Sequence, residues 1–336
     1  MKAVVLAGGF ATRLWPITRH RPKMFLPLGE TTVIDRLLED LERDDRIEEV
    51  FVSTNERFAP DFEAHVVDGP YDKPRLSVEQ ARAEDEKFGV VSALAQLIDR
   101  EGVDDDLLVI AGDNVFDFMI ETFVDHFERH EAPTIAAYDV GSRDRATGYG
   151  VLELEGNRVV DFREKPDDPP GTMVSVACYA FPRETLSLFE TYLEADNDPD
   201  EPGWFVQWLQ SREPTYAFTF EGTWFDVGTP ESYLDAVAWH LGGDTLVAES
   251  ATLENATVGE NVHVMENARV VDATLEQTVV FPDVDLESAT ARRTILDEGA
   301  SVAGIDLEGA TIGAYTTIPG RPAGAESESE PTSGSE

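Results

Sequence analysis

The stretch of sequence that decides the fold is KAVVLAGGFATRLWP, at residues 2–16. Its short apolar, partly β-branched opening predicts a buried parallel strand, and the glycine pair that follows predicts a tight loop. Small residues after a strand let backbone N–H groups point at an anion, and Arg13 and Lys23 can add two cations. The loop lacks the Gly-Lys-Ser/Thr ending of a P-loop, and Ala11 and Leu14 break the dinucleotide-binding fingerprint. The sequence therefore predicts a phosphate-binding loop of another type.

Strand and helix patterns alternate outward from this loop through the first half of the chain. Residues 34–41 carry apolar side chains at the spacing of an amphipathic helix. The other predicted elements are a helix at 90–98, strands at 50–53, 107–110, 150–154 and 175–181, and a closing helix at 231–241. This alternation predicts an α/β fold, a doubly wound mixed sheet of the Rossmann-like kind, with ligands at the carboxyl ends of the strands.

The composition changes after the glycines at positions 242 and 243. Residues 245–318 are poor in aromatic side chains and rich in Val, Ala, Thr, Asn and Gly, and Val258, Val264 and Val270 are spaced by six. A six-residue period of small and β-branched residues predicts an imperfect hexapeptide-repeat β-helix; an irregular all-β segment is the alternative. Residues 321–336 predict a disordered acidic tail. We therefore expect a main domain over residues 1–241, a β-helix domain over 245–318 and this tail.

The charge of the chain limits its environment and its partners. The 336 residues include 26 Lys and Arg against 67 Asp and Glu, a formal net charge of −41, and only five residues are Lys. A composition poor in Lys and rich in Asp and Glu resembles that of proteins from halophiles that accumulate salt inside the cell. It indicates a haloarchaeal source. No basic stripe is present to displace counterions, so a nucleic-acid partner is not expected.

Other compositional features favour a cytoplasmic protein. The chain has no run of 18 apolar residues and no signal-peptide layout, so no membrane association is expected. The single Cys178 excludes an intrachain disulfide and a Cys-rich metal site.

With its glycine pair, Arg13 and the Pro22-Lys23 pair in place, the sequence resembles the sugar-1-phosphate nucleotidyltransferases. Their opening motif is L-A-G-G-x-G-T-R-L-x-P-x-T, followed by P-K. The resemblance covers residues 1–241, which would be the catalytic domain, and extends to the C-terminal segment, since many members carry a left-handed β-helix there. Within the family the chain looks most like the glucose-1-phosphate thymidylyl- and uridylyltransferases. The resemblance implies the reaction of an NTP with a sugar 1-phosphate to an NDP-sugar and pyrophosphate, with Mg²⁺ as cofactor.

The resemblance also implies roles for individual residues. It implies catalytic cations at Arg13, Lys23 and Lys165, and metal-holding carboxylates at Asp113 and Asp226. It implies nucleotide binding by Leu6, Gly8, Gly9, Thr12, Gln80 and Gly89, and sugar binding by Gly150, Glu164 and Tyr179. Less specific interpretations remain open: Asp113 and Asp226 could cap helices, Glu164 and Lys165 could be a solvated pair, Gln80 could be exposed, and Tyr179 could be a core residue.

The chain departs from the family pattern at three places. Ala11 replaces the third glycine of the loop, so we expect its backbone to avoid positive φ. The stretch GVVSA at residues 89–93 replaces G-T-A-G-A, and the E-[IL]-T-D signature is absent near residue 200. The nucleotide therefore remains open between dTTP and UTP, with others possible.

The predicted mechanism is an in-line attack by a phosphate oxygen of the sugar 1-phosphate on the α-phosphorus. We expect a homo-oligomer, in which the β-helix mediates self-association or allosteric closure. Two alternatives remain: a bifunctional enzyme whose β-helix transfers acyl groups, for which His263 is the one histidine of that segment, and a non-catalytic sugar-nucleotide-binding regulator.

Overall fold

The computed structural model describes residues 1–79 and 89–320. It divides into two compact units, residues 1–14 with 18–236, and residues 15–17 with residue 237 onward. The elements of the N-terminal part are β1 Lys2–Leu6, β2 Pro27–Leu28, β3 Thr31–Thr32, α1 Val33–Arg43, β4 Glu49–Asn55, α2 Ala59–Asp68, β5 Pro74–Glu79, α3 Val90–Glu101, β6 Leu107–Ala111, β7 Asn114–Phe116, α4 Ile120–His130, β8 Thr134–Asp139, α5 Arg143–Ala146, β9 Val151–Glu155, β10 Arg158–Arg163, β11 Met173–Phe181, α6 Ser187–Glu194, α7 Pro202–Gln210, β12 Tyr216–Thr219, β13 Trp224–Asp226 and α8 Pro230–Leu241.

Within the described residues, the main sheet has nine strands in the order β5-β4-β1-β6-β11-β8-β12-β10-β9. Strands β5, β4, β1 and β6 are parallel, whereas β11 is antiparallel to both β6 and β8. The predicted mixed sheet is thereby confirmed. Because β4 lies on one side of β1 and β6 on the other, the connections that lead to these two neighbours run in opposite directions from β1. Open α/β sheets bind ligands at such a switch point.

Successive residues of the central strands point into two separate cores. Ala3 and Val5 of β1 pack with the apolar face of α1, including Leu38, in one core. Val4 packs in the other core with α3, α6 and α7, including Leu97. This arrangement follows from the two-residue period of a strand that is covered on both faces, and it explains the continuous apolar runs in the sequence.

The helices predicted at 34–41, 90–98 and 231–241 are present, with somewhat longer bounds. In α1, Thr32 acts as the N-cap, since its Oγ1 accepts a hydrogen bond from the backbone N–H of Asp35 at 3.3 Å. No helix in the described residues is long and apolar enough to cross a membrane.

The C-terminal part, residues 245–318, consists of short parallel strands. They are β14 Thr245–Val247, β15 Thr252–Glu254, β16 Thr257–Val258, β17 Val262–Val264, β18 Arg269–Val271, β19 Thr274–Glu276, β20 Val279–Val280, β21 Asp285–Glu287, β22 Thr290–Arg292, β23 Ile295–Leu296, β24 Ser301–Ala303, β25 Asp306–Glu308, β26 Thr311–Ile312 and β27 Thr317–Ile318. Every third strand pairs in register, which builds three sheets in this segment. The predicted β-helix is confirmed as an architecture, and its handedness stays a prediction.

The predicted six-residue repeat, however, is wrong. Apart from the first pairings, paired strands of successive coils lie 16 residues apart along the chain, as Val279 and Ile295 do. A coil of three six-residue repeats would instead separate them by about 18 residues. Val264 is the third residue of its strand, whereas Val258 and Val270 are second residues, so their equal spacing does not mark equivalent positions.

The true period is visible at the corners of the β-helix. Residues with positive φ recur at intervals of five, five and six, for example Asn267, Asp272, Gln277 and Asp283. Asn and Asp tolerate this left-handed conformation better than most residues, so they turn the chain between faces at low cost.

Candidate active site

The glycine loop begins where β1 ends, at the switch point of the sheet. The backbone N–H of Gly112, just after β6, donates to the carbonyl of Leu6 at 2.9 Å, and the N–H of Ala7 donates to the carbonyl of Ser53 at 2.7 Å. The ends of the three neighbouring strands β4, β1 and β6 are thus tied together by backbone hydrogen bonds. Gly8, Gly9 and Thr12 follow Leu6 directly along this loop.

Three buried polar residues at the end of β4 support the loop from behind. Asn55 Nδ2 donates to the carbonyl of Gly8 at 2.9 Å, and Ser53 Oγ donates to Glu79 Oε1 at 2.8 Å. Thr54 Oγ1 donates to the carbonyl of Ala7 at 3.4 Å. Sequence reasoning missed these residues, although a run of three polar residues at the end of an apolar strand was a usable signal.

The backbone at Ala11 contradicts the sequence expectation. Ala11 has a φ of 49°, in the left-handed region that the expectation excluded. Its carbonyl accepts hydrogen bonds from Thr18 Oγ1 at 2.8 Å and from the backbone N–H of Leu14 at 3.0 Å. These two bonds hold the start of a 3₁₀ turn over Thr12–Leu14, and they offset the strain that a Cβ adds at positive φ.

The two carboxylates predicted to hold a metal come from adjacent strand ends. Asp113 lies between β6 and β7, and the pairing of β13 with β7 places Asp226 opposite Asn114. The N–H of Val227 donates to the carbonyl of Asp113 at 3.0 Å. Lys23 Nζ donates to Asp113 Oδ2 in a partly buried ion pair.

The ionisation of Asp226 reflects this crowding. Burial raises the pKa of Asp226, and the negative charge of Asp113 raises it further, whereas Lys23, Arg13 and Lys165 act in the opposite direction. A cation between the two carboxylates would favour their charged forms. Within the described residues no group of three or more His, Cys, Asp or Glu side chains is arranged to hold a metal ion.

Arg13 reaches the same place from the glycine loop. A Cβ built on Gly228 would lie 3.0 Å from Arg13 Nη2 and 3.3 Å from Asp226 Oδ1. The guanidinium and the carboxylate therefore approach the same glycine, which has no side chain to keep them away.

The Glu164-Lys165 turn follows β10 and is held by its backbone. The N–H of Glu164 donates to Gln207 Oε1 at 2.9 Å, and the N–H of Lys165 donates to the carbonyl of Tyr149 at 3.1 Å. Lys165 has a φ of 42°, an uncommon conformation for a lysine that the surrounding bonds must stabilise. Its Nζ donates to Glu201 Oε1 at 2.5 Å.

The Glu164 carboxylate is buried between two glycines. Glu164 is 8% exposed. A Cβ built on Gly150 would lie 2.7 Å from Glu164 Oε2, and a Cβ built on Gly203 would lie 1.7 Å from the same oxygen. Burial raises the pKa of Glu164 to about 7, against the effect of Lys165 and with a small contribution from Glu201. The carboxyl is therefore poised to change charge near neutral pH.

Tyr179 belongs to both the core and the site. It is 4% exposed and packs in the core beneath α7, yet it also lines the cavity described below. Ser175 Oγ donates to its hydroxyl at 3.1 Å, and burial raises its pKa. The pairing of β11 with β8 is irregular between Ser175 and Tyr179, where Ala177 has a φ of 51°. This bulge shapes the floor of the cavity.

One cavity of about 660 Å³ collects half of the predicted site residues, whereas Leu6, Gly8, Gly9 and Thr12 of the glycine loop are not part of its lining. Those that line it are Arg13, Asp113, Gly150, Glu164, Lys165, Tyr179 and Asp226. Lys23 joins them through its bond to Asp113. Gly89, at a φ of 81°, lies instead against the backbone of Pro199, and Gln80 lies outside the described residues.

Further residues of this cavity were not anticipated from the sequence. Arg145 is exposed at its edge, Glu201 pairs with Lys165, and Tyr149 has its pKa raised by burial and by Asp226. Trp224 also lines the cavity, where its Nε1 donates to the buried Asn114 Oδ1 at 2.9 Å. Asn114, Tyr149 and Trp224 lie next to or within the motifs around Asp113, Gly150 and Asp226, so they carried a usable sequence signal, whereas Arg145 and Glu201 did not.

Comparisons with known proteins agree with this architecture. The chain is 24% identical over 270 residues to the bifunctional protein GlmU of Methanocaldococcus jannaschii, covering 80% of this chain and 61% of the relative. It is 27% identical over 235 residues to a Sulfolobus acidocaldarius protein provisionally assigned as a mannose-1-phosphate guanyltransferase, covering 70% and 61%. The chain thus spans about three-fifths of the length of these relatives.

A solved structure shares the fold. It is a Bacillus anthracis protein provisionally assigned as a glucose-1-phosphate thymidylyltransferase, in complex with a sucrose. The TM-score is 0.62 at 23% identity, covering 71% of this chain and 95% of the other. The family described as nucleotidyl transferase matches residues 2–241. Taken with the glycine loop and the two strand-end aspartates, this match shows that the chain belongs to the nucleotidyl transferase family.

Proposed function

We propose that the protein is a sugar-1-phosphate nucleotidyltransferase, which forms an NDP-sugar and pyrophosphate from an NTP and a sugar 1-phosphate. The observation that carries this proposal is the shared cavity: Arg13, Asp113, Lys165 and Asp226 line it, and Lys23 bonds to Asp113. A catalyst that joins two anions needs such a meeting of cations and carboxylates.

The chemical step is an in-line displacement at the α-phosphorus of the NTP. A phosphate oxygen of the sugar 1-phosphate forms the new P–O bond, and the bond to the bridging oxygen breaks so that pyrophosphate leaves. The nucleophile is already an anion at pH 7, so no general base is required. The protein contributes positioning and charge neutralisation.

The charges of the cavity support this role. The described lining residues together with Lys23 include four basic side chains, Arg13, Lys23, Arg145 and Lys165, against four acidic ones, Asp113, Glu164, Glu201 and Asp226. The whole chain carries 26 basic residues against 67 acidic ones. The cavity is therefore far less negative than the chain around it, so two anionic substrates can approach each other there.

The donor set also fits Mg²⁺ as the cofactor. Mg²⁺ is commonly bound by one or two carboxylates with substrate phosphates completing the shell, and Asp113 and Asp226 provide two partly buried carboxylates that line the cavity. The bound ion would supply Lewis-acid stabilisation of negative charge on the phosphate oxygens. With Asp113 engaged in this way, Lys23 would donate to a phosphate of the nucleotide instead.

The sugar is proposed to lie against Gly150, Glu164 and Tyr179. Glu164 would accept hydrogen bonds from sugar hydroxyls, and Lys165 would leave Glu201 to neutralise the sugar phosphate. The sequence resemblance implies glucose 1-phosphate with dTTP or UTP, whereas the Sulfolobus relative bears the name of a guanyltransferase. These substrate pairs define the first panel to assay.

A pyrophosphate-release assay with NTPs and sugar 1-phosphates, run with Mg²⁺ in molar KCl, tests the proposal. Lys23→Ala and Lys165→Ala should each lower turnover at least about 10²-fold, or about 2.7 kcal/mol of barrier. Lys2→Ala is the matched control, because Lys2 pairs with Glu48 and Glu49 at the other end of β1. Wild-type turnover in both cavity variants, or no turnover with any pair, would overturn the proposal.

No observation favours acyl transfer on the β-helix. His263 is the one histidine from residue 245 onward, and it is 6% exposed. Burial lowers its pKa to about 4, so it is neutral but inaccessible as a base. The regulator alternative is disfavoured by the complete set of cations and carboxylates in the cavity.

Three wider features belong to the same proposal. We propose a halophilic, haloarchaeal protein on the basis of its charge of −41. We also propose that it acts in the cytoplasm and that the β-helix mediates self-association, which light scattering in molar KCl would measure.

A further inference from the structure

The carboxylate of Glu79 lies beside the glycine loop. Glu79 is the last residue of β5 and pairs with Asn55 of β4, while Ser53 of β4 pairs with Leu6 of β1. A Cβ built on Gly8 would lie 3.2 Å from Glu79 Oε1 and 3.4 Å from Oε2. Both carboxylate oxygens therefore face the loop that the family motif assigns to the nucleotide.

The position of this carboxylate is fixed by buried groups. Ser53, which is 1% exposed, donates its Oγ hydrogen to Glu79 Oε1 at 2.8 Å. Asn55, also 1% exposed, donates to the carbonyl of Gly8 at 2.9 Å. The same strand end thus holds both the loop and the acid, and Glu79 is not a freely moving surface side chain.

The proposed phosphoryl chemistry does not use Glu79. A carboxylate beside a nucleotide loop would repel the phosphates, so the ribose hydroxyls and the base are the parts of an NTP that can donate to it. Of these only the base differs among GTP, ITP and UTP, so only a contact to the base can select among them. An ionised carboxylate only accepts hydrogen bonds, and its two oxygens suit two neighbouring donors.

The Watson–Crick edges of the bases differ in this respect. Guanine presents two adjacent donors, N1–H and N2–H₂. Uracil and thymine present N3–H between two carbonyl oxygens, which a carboxylate would repel, and adenine and cytosine present one amino donor beside an acceptor nitrogen.

We propose that Glu79 determines nucleobase specificity, by accepting hydrogen bonds from the N1–H and N2–H₂ groups of guanine, so that GTP is preferred over dTTP and UTP. This inference rests on the proposed function and replaces the pyrimidine nucleotides that the resemblance implies. Glu79 is a specificity-determining residue and takes no part in bond making.

The test compares kcat/KM for GTP, ITP, UTP and dTTP in the pyrophosphate-release assay. The wild type should prefer GTP over UTP at least about tenfold, within the range of a good bidentate contact. ITP lacks the N2 amino group, so it should fall about tenfold below GTP, and this comparison requires no variant.

Glu79→Gln should lower the GTP-to-UTP ratio at least about tenfold. An amide offers one acceptor for N3–H and one donor for a carbonyl oxygen, so use of UTP should rise. Glu153→Gln, which neutralises an exposed carboxylate on β9, should leave the ratio unchanged.

The possible outcomes distinguish a failure of the proposed function from a failure of the proposed role of Glu79. Absence of turnover with every NTP would overturn the proposed function. Turnover with UTP or dTTP at or above the GTP level, or equal use of GTP and ITP, would overturn the role of Glu79 and leave the function standing.

Discussion

Gly203→Ala should damage the proposed sugar site without unfolding the protein. Gly203 lies in the first turn of α7, and a Cβ there would be 1.7 Å from Glu164 Oε2 and 2.3 Å from Glu164 Cδ. Ordinary contact begins near 3.4 Å, so the carboxylate must move by about 1.7 Å. The clash involves the end of a flexible side chain, which can rotate into the adjacent cavity.

The magnitude follows from the geometry. Misplacing a substrate-positioning group by 1 Å can cost about 10²-fold in rate. We therefore expect kcat/KM for the sugar 1-phosphate to fall about 10²-fold, or about 2.7 kcal/mol, with KM for the NTP unchanged. Alanine is the better helix former by about 1 kcal/mol, which offsets part of the cost of the clash to folding.

The assay is the initial rate of pyrophosphate release, with each substrate varied while the other is saturating. Gly171→Ala is the matched control, because nothing lies within 4 Å of its built Cβ and its φ is not positive. A Gly203→Ala enzyme that keeps the wild-type kcat/KM for the sugar 1-phosphate would show that Glu164 does not position the sugar.

Three further predictions concern pH, backbone strain and salt. Burial raises the pKa of Glu164 from 4.5 to about 7, so its contribution to stability is complete below pH 4.5 and is lost as the pH rises through 7. The unfolding free energy of Glu164→Gln, measured relative to that of the wild type, should therefore rise by at most about 3 kcal/mol from pH 5 to pH 8. A difference between the two proteins that stays constant over this pH range would contradict this. Ala11→Gly should raise the free energy of unfolding by up to about 1 kcal/mol, because the φ of 49° favours glycine; a lower melting temperature would count against it. Dialysis from molar to about 0.1 M KCl should unfold or inactivate the protein through its charge of −41, and full activity in dilute buffer would refute the halophilic proposal.

Much of the fold could be predicted because the relevant patterns are local. The apolar stripe of α1 and the buried runs of β1 and β6 depend on spacings of a few residues, and these elements are present as expected. The motif residues Arg13, Asp113, Lys165 and Asp226 could be named in advance, and they line one cavity.

The coil length of the β-helix could not be read in the same way. Equal spacing of Val258, Val264 and Val270 suggested hexads, but the register of the strands gives 16 residues for most coils. Where each strand begins depends on corner residues that apolar spacing does not report.

The amino-acid sequence by itself determined the alternation of strands and helices, the family motifs and the acidity of the chain. Only the tertiary structure decided that Lys165 pairs with Glu201, 36 residues away, and that Ser53 fixes Glu79, 26 residues away, beside Gly8. It also decided that Ala11 takes a left-handed backbone. The reason is that these features depend on which strands become neighbours and on contacts between distant residues, whereas local periodicity records only what each segment buries.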